Sequence, residues 1–133
     1  MQGLDTNVLL RFLLKDEPRQ AKAARAAIAK AASAGEPLCL SLLTVLEAEW
    51  VLRTRAGLSK AYLLAVFKQL LEARDLTIAG EAVLEHALYL YENGAADFAD
   101  CLLVADYQAQ GCSSMLTFDA KASKVPGGQP LSA

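Results

Sequence analysis

Histidine, cysteine and proline are scarce in this chain of 133 residues, and each shortage argues against a class of protein. The only histidine is His86, so nothing supports a zinc site or a Ser-His or Cys-His catalytic pair. The three cysteines include no CxxC pair, which is typical of reduced thiols in a cytosolic protein. Only four prolines, together with a hydrophobic content of 54%, indicate an ordered, globular chain.

Long apolar runs are also missing. No stretch approaches the about 20 residues of a membrane span. The N-terminus lacks the basic and apolar segments of a signal peptide. We therefore expect a soluble, cytoplasmic protein with no membrane partner. Its length suits one domain over residues 1–133.

An excess of basic charge is absent as well, because the net charge is −2. This argues against a protein whose whole surface binds nucleic acid. The distribution is uneven, since residues 1–70 carry a net charge of +4 and residues 71–133 a net charge of −6. The two halves either form separate basic and acidic faces or carry solvated charges on helix surfaces.

What the chain does contain is an alternation of short apolar segments with longer helical segments. Strands are predicted at residues 2–5, 37–41, 75–79 and 113–118. Helices are predicted at residues 6–14, 18–34, 42–56, 60–73, 81–92 and 97–110. Such alternation is typical of an α/β protein with a mostly parallel sheet.

Five acidic residues stand inside apolar sequence, near the predicted strand ends or in the helices. They are Asp5, Glu47, Asp97, Asp100 and Asp119. Functional groups of parallel sheets gather at the carboxyl ends of the strands, so we expect these carboxylates to converge at one edge. A carboxylate within a stretch such as GLDTNVLLRFLL, residues 3–14, needs a partner or a function, because burying it unpaired is costly.

Helical spacing distinguishes two neighbouring glutamates. Glu47 shares a helix face with Leu43 and Trp50, which predicts that Glu47 points inward. Glu49 lies four residues before Arg53, the favourable order for an exposed ion pair. Glu47 is therefore the predicted site residue, and Glu49 is predicted to lie at the surface.

Asp97 and Asp100 are three residues apart, so both carboxylates project from one helix face, whereas Asp106 is predicted to face solvent. A purely structural interpretation of the acids stays open. Asp5, Asp97 and Asp119 could each cap a helix. Asp100 could favour the helix dipole from the first turn.

Carboxylates that lie close together repel one another unless a cation lies between them. An all-carboxylate group fits hard divalent cations, Mg²⁺ or Mn²⁺. An ion held in this way can activate a water molecule and stabilise the leaving oxygen of a phosphate ester. The sequence therefore predicts metal-dependent hydrolysis of phosphodiester bonds.

Four segments, in this order and spacing, resemble the PIN-domain ribonucleases of the VapC type, the toxins of bacterial toxin–antitoxin pairs. The segments are GLDTNVLL at 3–10, VLEAEWVL at 45–52, DFADCLLVA at 97–105 and LTFDAKA at 116–122. The resemblance extends over nearly the whole chain. It implies a three-layer α/β/α sandwich around a mostly parallel sheet, and Mg²⁺- or Mn²⁺-dependent endonucleolytic cleavage of RNA.

The resemblance also implies which residues carry the chemistry. It places catalytic and metal-binding carboxylates at Asp5, Glu47, Asp100 and Asp119, with Asp97 as a further metal ligand. Asn7 and Thr117 match polar positions that orient carboxylates or water. The resemblance further implies a homodimer and a cognate antitoxin protein, of a kind that typically places a segment in the toxin's groove.

Phosphate contacts with RNA are predicted for Arg11 and Lys121, at the rim of the acidic site. Trp50, Phe98 and Phe118 are expected to pack in the core, which leaves few aromatic rings free to stack on bases.

Two alternatives stay open, a housekeeping RNA-processing nuclease and a non-catalytic interaction module with the same fold. A phosphatase of the haloacid-dehalogenase type is disfavoured, because the first strand is followed by Asp-Thr-Asn and not by a DxD pair.

Overall fold

The computed structural model describes residues 1–133, and its backbone follows the predicted alternation of helices with short parallel strands. Helix accounts for 59% of the residues and strand for 10%, which confirms the α/β class. None of the helices has the length and apolar content that crossing a membrane requires. Two compact units, residues 1–80 and residues 81–133, are described in turn. The prediction of a single domain stays a prediction.

The first unit contains four helices and two strands. They are α1 (Thr6–Leu14), α2 (Pro18–Ser33), β1 (Leu38–Leu40), α3 (Leu42–Thr54), α4 (Lys60–Glu72) and β2 (Leu76–Ile78). β1 pairs in parallel with β2, and Leu40 lies opposite Ile78. Leu9, Ile28 and Phe67 are each at most 1% exposed and belong to the core of this unit.

The segment before α1 forms a single bridge where a longer strand is predicted. Gly3 pairs in parallel with Cys39. The Cys39 N–H donates to the Gln2 carbonyl at 2.7 Å, and the Leu4 N–H donates to the Cys39 carbonyl at 3.0 Å. The pairing stops there because α1 begins two residues after Leu4. Asp5 consequently stands between the bridge and the helix.

The buried face of α3 differs from the one predicted. Val45, Ala48 and Leu52 are buried, and their spacing defines one face of the helix. The sequence analysis predicts that the face with Leu43 and Trp50 is buried, but these residues are 77% and 49% exposed. Small and medium apolar side chains pack into this core, so the bulkiest residues of α3 do not mark its buried face.

The two glutamates of α3 exchange their predicted positions as a result. Glu47 is exposed, whereas Glu49 is buried, with 1% of its surface exposed. The predicted ion pair is present, with Arg53 Nε 2.9 Å from Glu49 Oε2. The Glu49 end of this ion pair is buried, whereas the sequence predicts an exposed pair. The positive charge of Arg53 compensates the cost of burying the Glu49 carboxylate.

The second unit contains two helices and two strands. They are α5 (Glu81–Glu92), α6 (Phe98–Ala109), β3 (Met115–Thr117) and β4 (Gly128–Pro130), with a short 3₁₀ turn at Ala122–Lys124. α5 packs against α6. The rings of Tyr91 and Phe98 meet edge to face with centroids 5.7 Å apart, a favourable aromatic geometry. Phe98 is 1% exposed, which confirms its predicted place in the core.

The C-terminal strand β4 is absent from the sequence prediction. It pairs in parallel with β3, and Thr117 lies opposite Pro130. Glycine is required at Gly128, because a Cβ there would collide with the carbonyl oxygen of Ala122. A tail rich in glycine and proline lacks the β-branched residues that indicate a strand, so the sequence pattern does not reveal it.

Candidate functional site

The start of α6 carries two of the predicted site carboxylates. Asp97 occupies the N-cap position, yet its side chain makes no capping hydrogen bond. Asp100 lies in the first turn and is half-buried, whereas Asp97 is exposed. The spacing of three residues directs both side chains to the same face of the helix. Capping therefore does not occupy the Asp97 carboxylate, which is available to bind a ligand.

Asp119 follows β3 and is held in place by the turn after it. Its N–H donates to Thr117 Oγ1 at 3.0 Å. Its Oδ1 atom accepts a hydrogen bond from the Ala122 N–H at 2.8 Å. The capping interpretation is thus confirmed for Asp119, and the same bond fixes the direction of its carboxylate. Thr117 supports this arrangement through the backbone of Asp119.

Asp100 is influenced electrostatically by the other two carboxylates of this unit. Its pKa is raised above the ordinary value of 3.8, first by burial and then by the negative charges of Asp119 and Asp97. The three side chains therefore form one coupled set, which we call the α6–β3 acid group (Asp97, Asp100 and Asp119).

In the first unit, Asp5 is exposed and caps α1. Its Oδ1 atom accepts a hydrogen bond from the Thr6 N–H at 2.6 Å. The expectation of a buried carboxylate is wrong, because Asp5 lies at the surface between the buried residues Leu4 and Thr6. The capping interpretation of Asp5 is confirmed. Asn7, in the first turn of α1, is also exposed.

Glu47 is exposed on α3, and α3 is tied to the segment that precedes Asp5. Thr44 Oγ1 donates to the Leu4 carbonyl at 3.4 Å. Thr44 lies three residues before Glu47, and α1 packs against α3. The fold of the first unit therefore brings the helix of Glu47 to the chain segment of Asp5.

The carboxylates fit a divalent metal ion by their chemistry, although they do not form a ready-made ligand set. No group of three or more Asp, Glu, His or Cys side chains lies close enough to hold one ion. The α6–β3 acid group nevertheless offers only oxygen ligands. The pKa of Asp100 is raised by burial and, after it, by the charges of Asp119 and Asp97, whose repulsion a divalent cation would relieve. Binding an ion there requires these side chains to move closer together, with Asp100 ionised.

The comparison with protein families identifies the fold. The PIN domain family model matches residues 4–128, which extend over both units. The chain belongs to the PIN domain family. A search among curated proteins and a search among solved structures gave no significant match.

Membership of the PIN domain family confirms the predicted PIN-like α/β fold. PIN domains are typically nucleases, and they generally use divalent metal ions. Asp5, Glu47 and the α6–β3 acid group are thus carboxylates in a nuclease fold, with the oxygen donors that such an ion prefers.

The two predicted phosphate contacts of this PIN domain differ in their surroundings. The guanidinium of Arg11 is already bound, with Nε 2.7 Å from Gln20 Oε1 and Nη1 3.1 Å from Asp16 Oδ1. Lys121 is exposed and has no ion pair. Lys121 is therefore the better placed of the two to neutralise a phosphate.

Sequence reasoning missed an exposed aromatic residue beside the site. Phe118 directly precedes Asp119 and is 72% exposed, so its predicted core position is wrong. The alternation of the strand explains the error, because Leu116 and Phe118 leave the chain on the side opposite Thr117. Leu116 is likewise exposed, at 59%, whereas Thr117 is half-buried. The alternation of a strand, applied to LTFD, would have predicted different exposure for Thr117 than for Leu116 and Phe118.

Replacing Asp100 by Asn is expected to stabilise the metal-free protein at neutral pH. Because folding raises the pKa of Asp100, the folded protein binds the proton of the Asp100 carboxyl group more tightly than the unfolded chain does. Stability therefore falls as the pH rises through the interval between the two pKa values, and Asp100→Asn escapes that loss. The expected gain is below about 1 kcal/mol, since solvent screens this partly exposed group.

Urea unfolding in the presence of a chelator, from pH 3 to pH 8, measures this difference. The wild type and Asp100→Asn should have similar stability at the acid end, and the variant should be the more stable at neutral pH. A variant that is less stable at neutral pH would show that the Asp100 charge stabilises the fold.

Proposed function

We propose that this PIN domain is a Mg²⁺- or Mn²⁺-dependent endoribonuclease and the toxin of a type II toxin–antitoxin system. The observation that carries the proposal is the α6–β3 acid group, in which the Asp97 carboxylate makes no capping bond, Asp100 is half-buried and Asp119 is held by the Ala122 N–H. An unsatisfied set of carboxylates in a nuclease fold is suited to a divalent cation and a phosphodiester. The order of the four sequence segments, which resembles VapC-type toxins, supports the finer assignment.

In this proposal, Asp5, Glu47, Asp100 and Asp119 are the catalytic carboxylates. The resemblance to VapC-type toxins assigns a metal-binding role to each of these four and to Asp97, and Asp119 keeps its direction through the bond from the Ala122 N–H. The bound ion would supply positive charge that lowers the pKa of a water molecule and neutralises the phosphate. Asn7 and Thr117 orient the carboxylates, and Lys121, with Arg11, contacts RNA phosphates.

The proposed partners are an RNA substrate, a cognate antitoxin and a second copy of the chain. A groove between α1 and α2, with a volume of about 330 Å³, supports an antitoxin segment as one occupant. Its lining is mostly apolar and includes Asn7, Val8, Ala24 and Ala27. An acidic site suits an antitoxin arginine, because a guanidinium pairs well with carboxylates. The exposed Trp50 of α3 supports a homodimer, since large exposed apolar side chains are typical of interfaces.

Expression in a bacterial host tests the toxin role. Induction of the wild-type chain should arrest growth and produce new RNA 5′ ends, whereas Asp5→Asn should do neither, because a metal ligand is lost. Asp106→Asn is the matched control, since it removes one carboxylate of α6 that bonds Gln110 and lies outside the proposed site. Normal growth together with metal-dependent RNA cleavage by the purified protein would favour a housekeeping nuclease.

A further inference from the structure

An exposed apolar surface lies at the end of β3, beside the α6–β3 acid group. Leu116, Phe118 and Leu131 are 59%, 72% and 44% exposed. The Leu131 N–H donates to the Thr117 carbonyl at 2.9 Å, which continues the β3–β4 pairing and places Leu131 opposite the Phe118 position. We call these three residues the Phe118 surface. It contains the most exposed aromatic side chain of the chain.

The backbone on both sides of Phe118 is fixed. The Thr117 carbonyl accepts the bond from Leu131, and Thr117 Oγ1 accepts the bond from the Asp119 N–H. Asp119 is further held by the Ala122 N–H. The position of the Phe118 backbone, at the bend between β3 and Asp119, is therefore fixed by its neighbours.

Unpaired positive charge accompanies the Phe118 surface. Lys121 and Lys124 follow Asp119 at the 3₁₀ turn, and both side chains are exposed. Neither makes an ion pair. An exposed aromatic ring, with two free cations three and six residues further along the chain, suits a nucleotide, whose base stacks on a ring and whose phosphate attracts a cation.

We propose that Phe118 is a stacking platform for an unpaired base of the RNA substrate, next to the phosphodiester that is cleaved. The proposal rests on the proposed nuclease function and adds a residue of this chain that contacts a base of the RNA. Phe118 directly precedes Asp119, so a base on the ring would be held one residue along the chain from the proposed catalytic carboxylate. Leu116 and Leu131 extend the apolar face, and Lys121 binds a neighbouring phosphate.

The charges disfavour a second copy of the chain as the occupant of this surface. A twofold dimer brings the same patch of both copies together. A dimer through this surface would gather Lys121 and Lys124 of both copies, and hence four lysines without an ion pair, in one interface. Like charges in such an arrangement repel, whereas an RNA strand complements the lysines.

Cleavage kinetics on single-stranded RNA oligonucleotides test the platform. Phe118→Ala should lower kcat/KM by about 5- to 100-fold, chiefly through KM, because stacking on an aromatic ring is lost. Phe118→Trp should retain the wild-type value, since it keeps a ring. Tyr89→Ala is the matched control, because Tyr89 is an aromatic residue of α5 with 64% exposure and no place in the site. Unchanged kcat/KM in Phe118→Ala would overturn the proposal.

A binding experiment separates failure of this proposal from failure of the nuclease function. Fluorescence anisotropy of a labelled single-stranded RNA is measured with Asp100→Asn protein, which does not cleave, and with the Asp100→Asn/Phe118→Ala double variant. Weaker binding by the double variant supports the platform, even if no cleavage of any RNA is found. Equal binding overturns it. A change in oligomeric state on Phe118→Ala, seen by light scattering, also overturns it and assigns the surface to self-association.

Discussion

Replacing Asp100 by Asn should lower the rate of RNA cleavage by at least about 100-fold. Loss of groups that only orient a metal ligand already costs 10- to 100-fold, and Asp100 is proposed as a ligand itself. Asp100 is half-buried in the first turn of α6, and burial first, then the charges of Asp119 and Asp97, raise the pKa of its carboxyl group. The loss should appear in kcat, with the KM for RNA little changed, because Asp100 contacts no base in this account.

Two controls separate the loss of the Asp100 carboxylate from a general effect of an Asp→Asn change on α6 and from a loss of folding. Asp106→Asn makes the same chemical change on the same helix, at a half-buried side chain that accepts a hydrogen bond from Gln110 at 2.7 Å, and it should leave kcat unchanged. Urea unfolding should show that Asp100→Asn is folded and at least as stable as the wild type without metal. An Asp100→Asn enzyme with the wild-type kcat would remove Asp100 from the catalytic carboxylates.

The helices could be predicted from the sequence because their signals are local. α5 begins and ends at the predicted residues, 81 and 92. α4 begins as predicted after Ser59, whose Oγ accepts a hydrogen bond from the Tyr62 N–H at 3.2 Å. Capping residues and apolar periodicity lie within each helix, so no tertiary information is needed to locate it.

The burial of individual residues depended on neighbours that the sequence does not show. Glu49, Trp50 and Phe118 were each assigned to the wrong environment, because size and local spacing do not reveal which face meets the core. Glu49 can be buried only because Arg53 reaches it, and Trp50 is exposed because smaller residues fill the core beneath α3. The strand β4 depends on the close approach of Gly128 to Ala122, which is a contact and not a pattern.

The candidate site was predicted in part by a general rule about parallel sheets. The apolar sequence around them identified Asp119 at the end of a strand and Asp97 and Asp100 at the start of a helix, and in the structure the charges of Asp119 and Asp97 act on Asp100. The capping roles of Asp5 and Asp119 were alternatives to a site role, but the hydrogen bonds show that capping uses a single oxygen of each carboxylate. The same carboxylate can therefore cap and bind a metal ion, so the two interpretations are compatible.

Removal of divalent metal should abolish RNA cleavage, and this is the second large effect that we expect. A divalent cation supplies several kcal/mol of charge stabilisation to phosphodiester hydrolysis, which corresponds to a rate effect of about 1,000-fold or more. The carboxylates of the site cannot replace this contribution, because their own negative charge opposes that of the phosphate.

The most direct test is the rate of cleavage of a mixed RNA pool by the purified, partner-free chain as a function of added Mg²⁺ or Mn²⁺ after chelation. We expect no cleavage in the chelator, full recovery with either ion at saturating concentration, and no recovery in Asp100→Asn. Cleavage that continues at the same rate in the chelator would contradict the metal-dependent mechanism.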